Sequence, residues 1–211
     1  MHLTEPNFAD LIQNHTHCLT AEGRSQRTIE WYAANLKRFL QFLKSNNMST
    51  SVKEIGITEV RRFIHHLQSE VVRWEDKPDI SDSGRLSPFS VQGYVRTIKA
   101  FWSWLLEEGY VEENPIARLK LPRVPHKVIA TYSPEQIQAL IHSLDHRTFT
   151  GFRNYTIILL LLDTGIRLSE LTSLEIEDID FGQSCLLVRG KGSRERTVAC
   201  PPKRSPCIML V

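Results

Sequence analysis

The segment Lys120-Leu-Pro-Arg-Val-Pro-His-Lys127 constrains the fold more than any other stretch, because it cuts the chain in two. Its two prolines lack amide hydrogens and push their predecessors toward extended backbone, so neither a helix nor a central strand can cross it. Lys120, Arg123 and Lys127 are charged and there are few apolar anchors, which makes this an interdomain linker. On its N-terminal side apolar residues recur at helical spacing. On its C-terminal side helices give way to short strands.

The first half predicts four helices. Phe8, Leu11, Ile12 and His15 mark one face of the first. Ser25 is placed to cap a long second helix carrying Ile29, Tyr32, Ala33, Leu36, Phe39, Leu40 and Leu43. Thr58 is the expected cap of a third, with Val60, Phe63, Ile64, Leu67 and Val71 on one face. The polar stretch from Glu75 to Ser87, with Pro78 and Gly84, reads as a loop. Ser87-Pro88 then opens a fourth helix through Val91, Val95, Ile98, Phe101, Trp102 and Leu105, which Gly109 ends. Trp102 and Trp104 lie two positions apart, so Trp102 is expected in the core and Trp104 at an edge. Asn114-Pro115 closes this unit.

The second half opens on Ser133-Pro134-Glu135-Gln136, a capping box with proline at the first helical position. Helices are expected at about Pro134 to Leu144 and Phe152 to Thr164, with Gly165 stopping the second. The run Ile157 to Leu162 is far shorter than the roughly 20 residues that span a bilayer, and reads as a buried helix. After a short helix through Leu171 the pattern turns to strands at Ile176–Phe181, Cys185–Val188 and Arg196–Ala199, with Gly190-Lys191-Gly192-Ser193 as a turn. The fold class is therefore α+β, mainly α: residues 1–112 a four-helix domain, 113–130 linker, 131–211 a mixed unit with a small antiparallel sheet.

The net charge of +2 is too small to imply nucleic-acid binding, but its distribution is uneven. From Phe181 onward Arg189, Lys191, Arg194, Arg196, Lys203 and Arg204 face a single acid, Glu195. Either a solvated hairpin or an anion-binding surface fits that cluster. Cys18, Cys185, Cys200 and Cys207 form no CxxC pair and no metal-ligand spacing with histidine, and no signal peptide is visible. A reduced, cytoplasmic setting without metal follows as the expectation.

Thr164-Gly-Ile-Arg-Leu-Ser-Glu170, followed by Lys191 in a Gly-Lys-Gly turn, joins an arginine at a helix start to a lysine at a hairpin tip. Negative charge grows on the non-bridging oxygens during phosphodiester transfer, and fixed cationic donors aimed there lower the barrier. Arginine suits the task, since its planar fork donates parallel hydrogen bonds and keeps its charge. Taken locally, Arg167 could instead be a surface arginine paired with Glu170, and Lys191 an exposed turn lysine.

In order and spacing these motifs resemble the first half of a tyrosine recombinase (phage-integrase, Xer-like) catalytic domain, and the helical unit before them resembles that family's SAM-like core-binding domain. The resemblance runs from about Asn7 to Val198. It implies site-specific recombination or integration of double-stranded DNA through a 3′-phosphotyrosine, with neither metal nor nucleotide cofactor. The implied assembly is a tetramer of full-length enzymes on two DNA sites, without membrane or small-molecule partners. Residue by residue, it makes Arg167 and Lys191 catalytic, Lys191 as the acid that protonates the leaving 5′-oxygen, and Glu170 the support of the arginine. Arg194 and Arg196 are expected on phosphates. Asp178 and Asp180 read as turn carboxylates.

DNA contacts in the helical unit are expected from Ser25, Arg27 and Thr28 at a helix N-terminus, from Lys37 and Arg38 along that helix, and from Arg96 and Lys99 on the fourth. A charged solvent face is the plainer reading for any one of them. The family's His-x-x-Arg segment and nucleophilic tyrosine have no counterpart here: the last histidine is His146 and the last tyrosine is Tyr155. Tyr32, Tyr94, Tyr110, Tyr132 and Tyr155 lie on apolar helical faces or near the linker, and core packing is the expected role of each. The sequence from Cys200 to Val211 turns proline-rich without helical period, as a frameshifted end would. A C-terminally truncated recombinase is the main expectation. The alternatives are a non-catalytic DNA-binding fragment that antagonises the full-length enzyme, or a broken-gene remnant in which Ile157 to Leu162 lack partners.

Overall fold

The computed structural model describes residues 7–71, 84–125, 128–190 and 194–199. The chain forms two compact units, Met1–Lys127 and Val128–Val211. The first unit contains α1 (Phe8–Ala21), α2 (Gln26–Ser45), α3 (Ile57–Ser69) and α4 (Pro88–Glu107). Side-chain caps start three of them: Asn7 accepts from the amides of Ala9 and Asp10, Ser25 from Thr28, and Ser87 from Ser90. The third departs from the sequence expectation. Gly56, not Thr58, is the cap of α3, and Glu59 reaches back to accept its N–H at 2.8 Å. Glycine offers no side chain for this, so the box is closed by the glutamate alone.

The core of this unit is aromatic. Trp102, Phe8, Phe39, Phe63 and Phe101 are fully buried, with the Phe8, Phe39 and Phe101 rings within 6.1 Å of Trp102. Trp104 is buried as well, against the edge position expected for it. It stacks on Phe101 at 5.6 Å and meets His15 of α1 at 4.9 Å and Tyr110 at 5.4 Å. α1 and the chain after α4 cover two flanks of that helix, so its apolar arc is wider than one stripe. That chain also takes Ile116 and Leu119 into the core, so the first unit continues past residue 112. Asn35 donates to Thr97 at 3.0 Å, joining α2 to α4 inside the core.

The second unit holds α5 (Pro134–His142), α6 (Phe149–Thr164), α7 (Leu168–Thr172), a 3-10 turn at Ile176–Asp178, and β1 (Ile179–Asp180), β2 (Cys185–Arg189) and β3 (Glu195–Ala199). The strands form an antiparallel sheet in sequence order, with Leu187 opposite Thr197 and Val188 opposite Arg196. The strand expected over Ile176–Phe181 shrinks to two residues. Asp178 accepts the amide of Glu175 at 3.0 Å, and this local closure holds Ile176–Asp178 in a tight turn.

Its core is small: Leu160, Ile166, Leu186 and Val188. The run Ile157–Leu162 is not the buried helix expected. Among the described residues α6 buries only Thr156 and Leu160, Leu162 is 47% exposed, and α5 buries nothing. Tyr132 is 78% exposed, so core packing does not account for it.

Candidate functional site

Helix α6 ends on Gly165, whose φ of 62° lies in the left-handed region that glycine enters without cost. Its N–H bonds Leu161 at 3.0 Å, and the chain reverses at once. Ile166 drops into the small core, and Arg167 takes the extended backbone that opens α7. One turn on, Glu170 is 3% exposed. A buried carboxylate at a helix start must be satisfied by donors.

Four hydrogen bonds do so. Glu170 accepts the Arg167 backbone N–H at 2.7 Å and the Arg167 Nη1 at 2.9 Å. From β3, Arg196 donates Nη1 to Oε1 at 2.8 Å and Nη2 to Oε2 at 2.9 Å, a bidentate fork. The Arg196 fork and the Arg167 amide hold the Glu170 carboxyl down to about 2, well below its ordinary range, against the opposing effect of burial. Gly190 makes room for this arrangement: a Cβ there would come within 3.3 Å of Glu170 Oε1. Its N–H bonds the Arg194 carbonyl at 2.7 Å, closing the hairpin.

The arrangement fixes Arg167 without consuming it. Its side chain is 72% exposed, and one Nη1 contact to Glu170 leaves most of its fork for a ligand. Arg196 is paired to Glu170 through both terminal nitrogens, so it reads as a brace more than as the phosphate contact expected of it. Arg194 is exposed. Lys191, Lys203 and Arg204 lie outside the described residues.

A second ion pair was not anticipated. Asp178 is buried and binds Arg189 Nη2 at 2.9 Å, which ties the 3-10 turn to the end of β2. No local spacing signals it, because Arg189 lies 11 positions from Asp178 in sequence. Asp180 does close a turn, accepting the Gln183 amide at 2.9 Å.

In the first unit, Ser25 caps α2 and bonds the Thr28 hydroxyl at 2.8 Å, while Arg27, Lys37 and Arg96 are exposed. Arg38 lies against Tyr94, its Cζ 6.0 Å from the ring centre. Lys99 is engaged elsewhere: its ammonium donates to the carbonyls of Ala117 and Leu119, both at 2.8 Å. Among the described residues no group of three or more His, Cys, Asp or Glu is placed to hold a metal, and no helix is long and apolar enough to cross a membrane.

Residues 131–210 match the phage integrase family, and residues 11–75 match the phage integrase N-terminal SAM-like domain. Tyrosine recombinase XerC of Oceanobacillus iheyensis is 33% identical over 84% of this chain and 53% of its own length. Tyrosine recombinase XerD of Lacticaseibacillus casei is 26% identical over 92% of this chain and 60% of its own. The chain thus spans between half and two thirds of these relatives. Two solved structures share the fold. The Tn1549 transposon integrase in complex with circular intermediate DNA has a TM-score of 0.63, at 16% identity, over 93% of this chain and 61% of its own. A lambda integrase tetramer bound to a Holliday junction has 0.65, at 13% identity, over 92% and 51%. The chain belongs to the phage integrase family of tyrosine recombinases.

Proposed function

We propose that this chain binds duplex DNA at recombination sites and contributes Arg167 to the phosphate-binding side of a tyrosine recombinase site. The observation that carries this reading is the arginine itself, held by a buried, ionised Glu170 while its guanidinium stays exposed. A fixed cation on a rigid helix start has little reorganisation left to make when charge develops on a phosphate. Glu170 and Arg196 are the positioning pair. Lys191, which falls between Gly190 and Arg194 in the sequence, is assigned the protonation of the leaving 5′-oxygen. In the complete reaction a tyrosine would attack the phosphorus, form a 3′-phosphotyrosine and release that oxygen. No tyrosine of these 211 residues follows Tyr155, so the part proposed for them is DNA binding and phosphate activation.

Support for the DNA partner comes from the relatives seen on DNA, including the tetramer on a Holliday junction. The first unit would meet the duplex through Ser25, Arg27, Thr28, Lys37, Arg38 and Arg96, the second through Arg167, Lys191 and Arg194. Binding of labelled duplex measured across salt concentrations tests the reading. A steep linear fall of log K with log salt is expected from counterion release. A flat profile, or no binding at low salt, would refute it.

A further inference from the structure

The chain that leaves α4 does not hang free. Ile116 and Leu119 enter the core, Lys99 holds the carbonyls of Ala117 and Leu119, and Gln92 donates to the carbonyl of Pro122 at 3.0 Å. Residues 116–122 therefore form a strap pinned along the polar side of α4. With Ile116 and Leu119 turned inward, Arg118 and Lys120 are left exposed on its outer side. The strap borders α3, and between them lies a groove of about 490 Å³. Arg61, Arg118 and Lys120 line it with Gln68, over an apolar floor of Ile64, Leu119 and Pro122.

No acid lines this groove. Among the described residues none of its three cations is in an ion pair. Three like charges around one groove repel one another and raise the local potential, an arrangement that an anionic ligand relieves. Gln92, whose amide holds Pro122 at the edge of the groove, lies one helical turn from the exposed Arg96 on α4. We propose that this groove binds the sugar-phosphate backbone of duplex DNA, extending the contact beyond α2 and α4. Contacts to the sugar-phosphate backbone carry no sequence information, so the contribution proposed for the groove is to affinity and not to sequence choice. Lys99, expected as a DNA contact, acts instead by holding the backbone on either side of Arg118.

The inference rests on the DNA-binding reading, and one experiment separates the two. The full chain and the variant Arg61→Gln/Arg118→Gln/Lys120→Gln are titrated with a 30-base-pair duplex at several salt concentrations. Removing one cation from a phosphate is expected to lower the slope of log K against log salt by about 0.9, so the triple variant falls by roughly 2 to 3. The single variants Arg61→Gln and Lys120→Gln, each expected to fall by about 0.9, guard against misfolding of the triple. Relative affinities for different duplex sequences should stay unchanged. A wild-type slope that the variants reproduce would overturn the groove and leave DNA binding standing. Loss of self-association at unchanged slope would give the groove to a second copy of the chain and equally overturn it. A wild-type chain with no salt-sensitive binding would remove both.

Discussion

Acidification should destabilise the first unit, in part through the single residue His15. His15 is 3% exposed and ringed by Phe101, Trp104 and Tyr32, and its Nδ1 has no hydrogen-bond partner. Burial pushes its pKa from 6.5 down to about 4, only partly opposed by the charge of Glu22. The neutral ring is the form the fold accepts, whereas the unfolded chain takes up a proton near 6.5. Stability from this site is therefore complete above 6.5 and lost as pH falls toward 4. The interval is worth about 3 kcal/mol near pH 4 and about 2 kcal/mol at pH 5. All four tryptophans, Trp31, Trp74, Trp102 and Trp104, fall in the first unit, so tryptophan emission during urea unfolding reports on it alone. Carboxylates titrate in the same range, and the comparison with His15→Leu isolates the histidine. The variant should lose about 2 kcal/mol less than wild type between pH 7.5 and 5. Equal pH dependence in the two proteins would refute the assignment of a buried neutral imidazole.

Gly151→Ala should destabilise the second unit by about 1–3 kcal/mol, because the new Cβ would collide with the Asp145 carbonyl under α6; thermal melting followed by far-UV circular dichroism checks it. Glu170→Gln removes the charge that holds Arg167 and Arg196, and should weaken duplex binding and lower the second unit's melting point together. With the folded carboxyl near 2 and an ordinary value of 4.5, that support is complete above 4.5 and fades only as pH falls toward 2, so duplex affinity should not change from this group between pH 5 and 8. Ser133→Ala removes the cap of α5 and should cost about 1 kcal/mol in the same melting assay.

Much of the fold was legible because it is set by local signals. The caps at Ser25, Ser87 and Ser133 and the stop at Gly165 stand where periodicity and capping chemistry put them. What escaped depends on contacts distant in sequence. Trp104 is buried because α1 and Tyr110 cover a second flank of α4, which no spacing within α4 reveals. The strap at 116–122 was hidden by Pro115 and the charged residues around it, although Ile116 and Leu119 were available as anchors. Apolar composition misled at Ile157–Leu162, since burial needs a facing partner and not only apolar side chains. At the site, the motif exposed Arg167 and Glu170 as neighbours. The role of Arg196 was not visible, because its fork reaches Glu170 across 26 positions of sequence.

The central claim is that Arg167 grips a phosphate. Duplexes selected by the chain from a random library, then carrying one neutral methylphosphonate at a time, put it to the test. At one position wild type should lose on the order of 10- to 100-fold in affinity, the range of a charge-assisted hydrogen bond, while Arg167→Ala loses nothing further there. Equal losses in both proteins at every position, or wild-type affinity in Arg167→Ala, would contradict it.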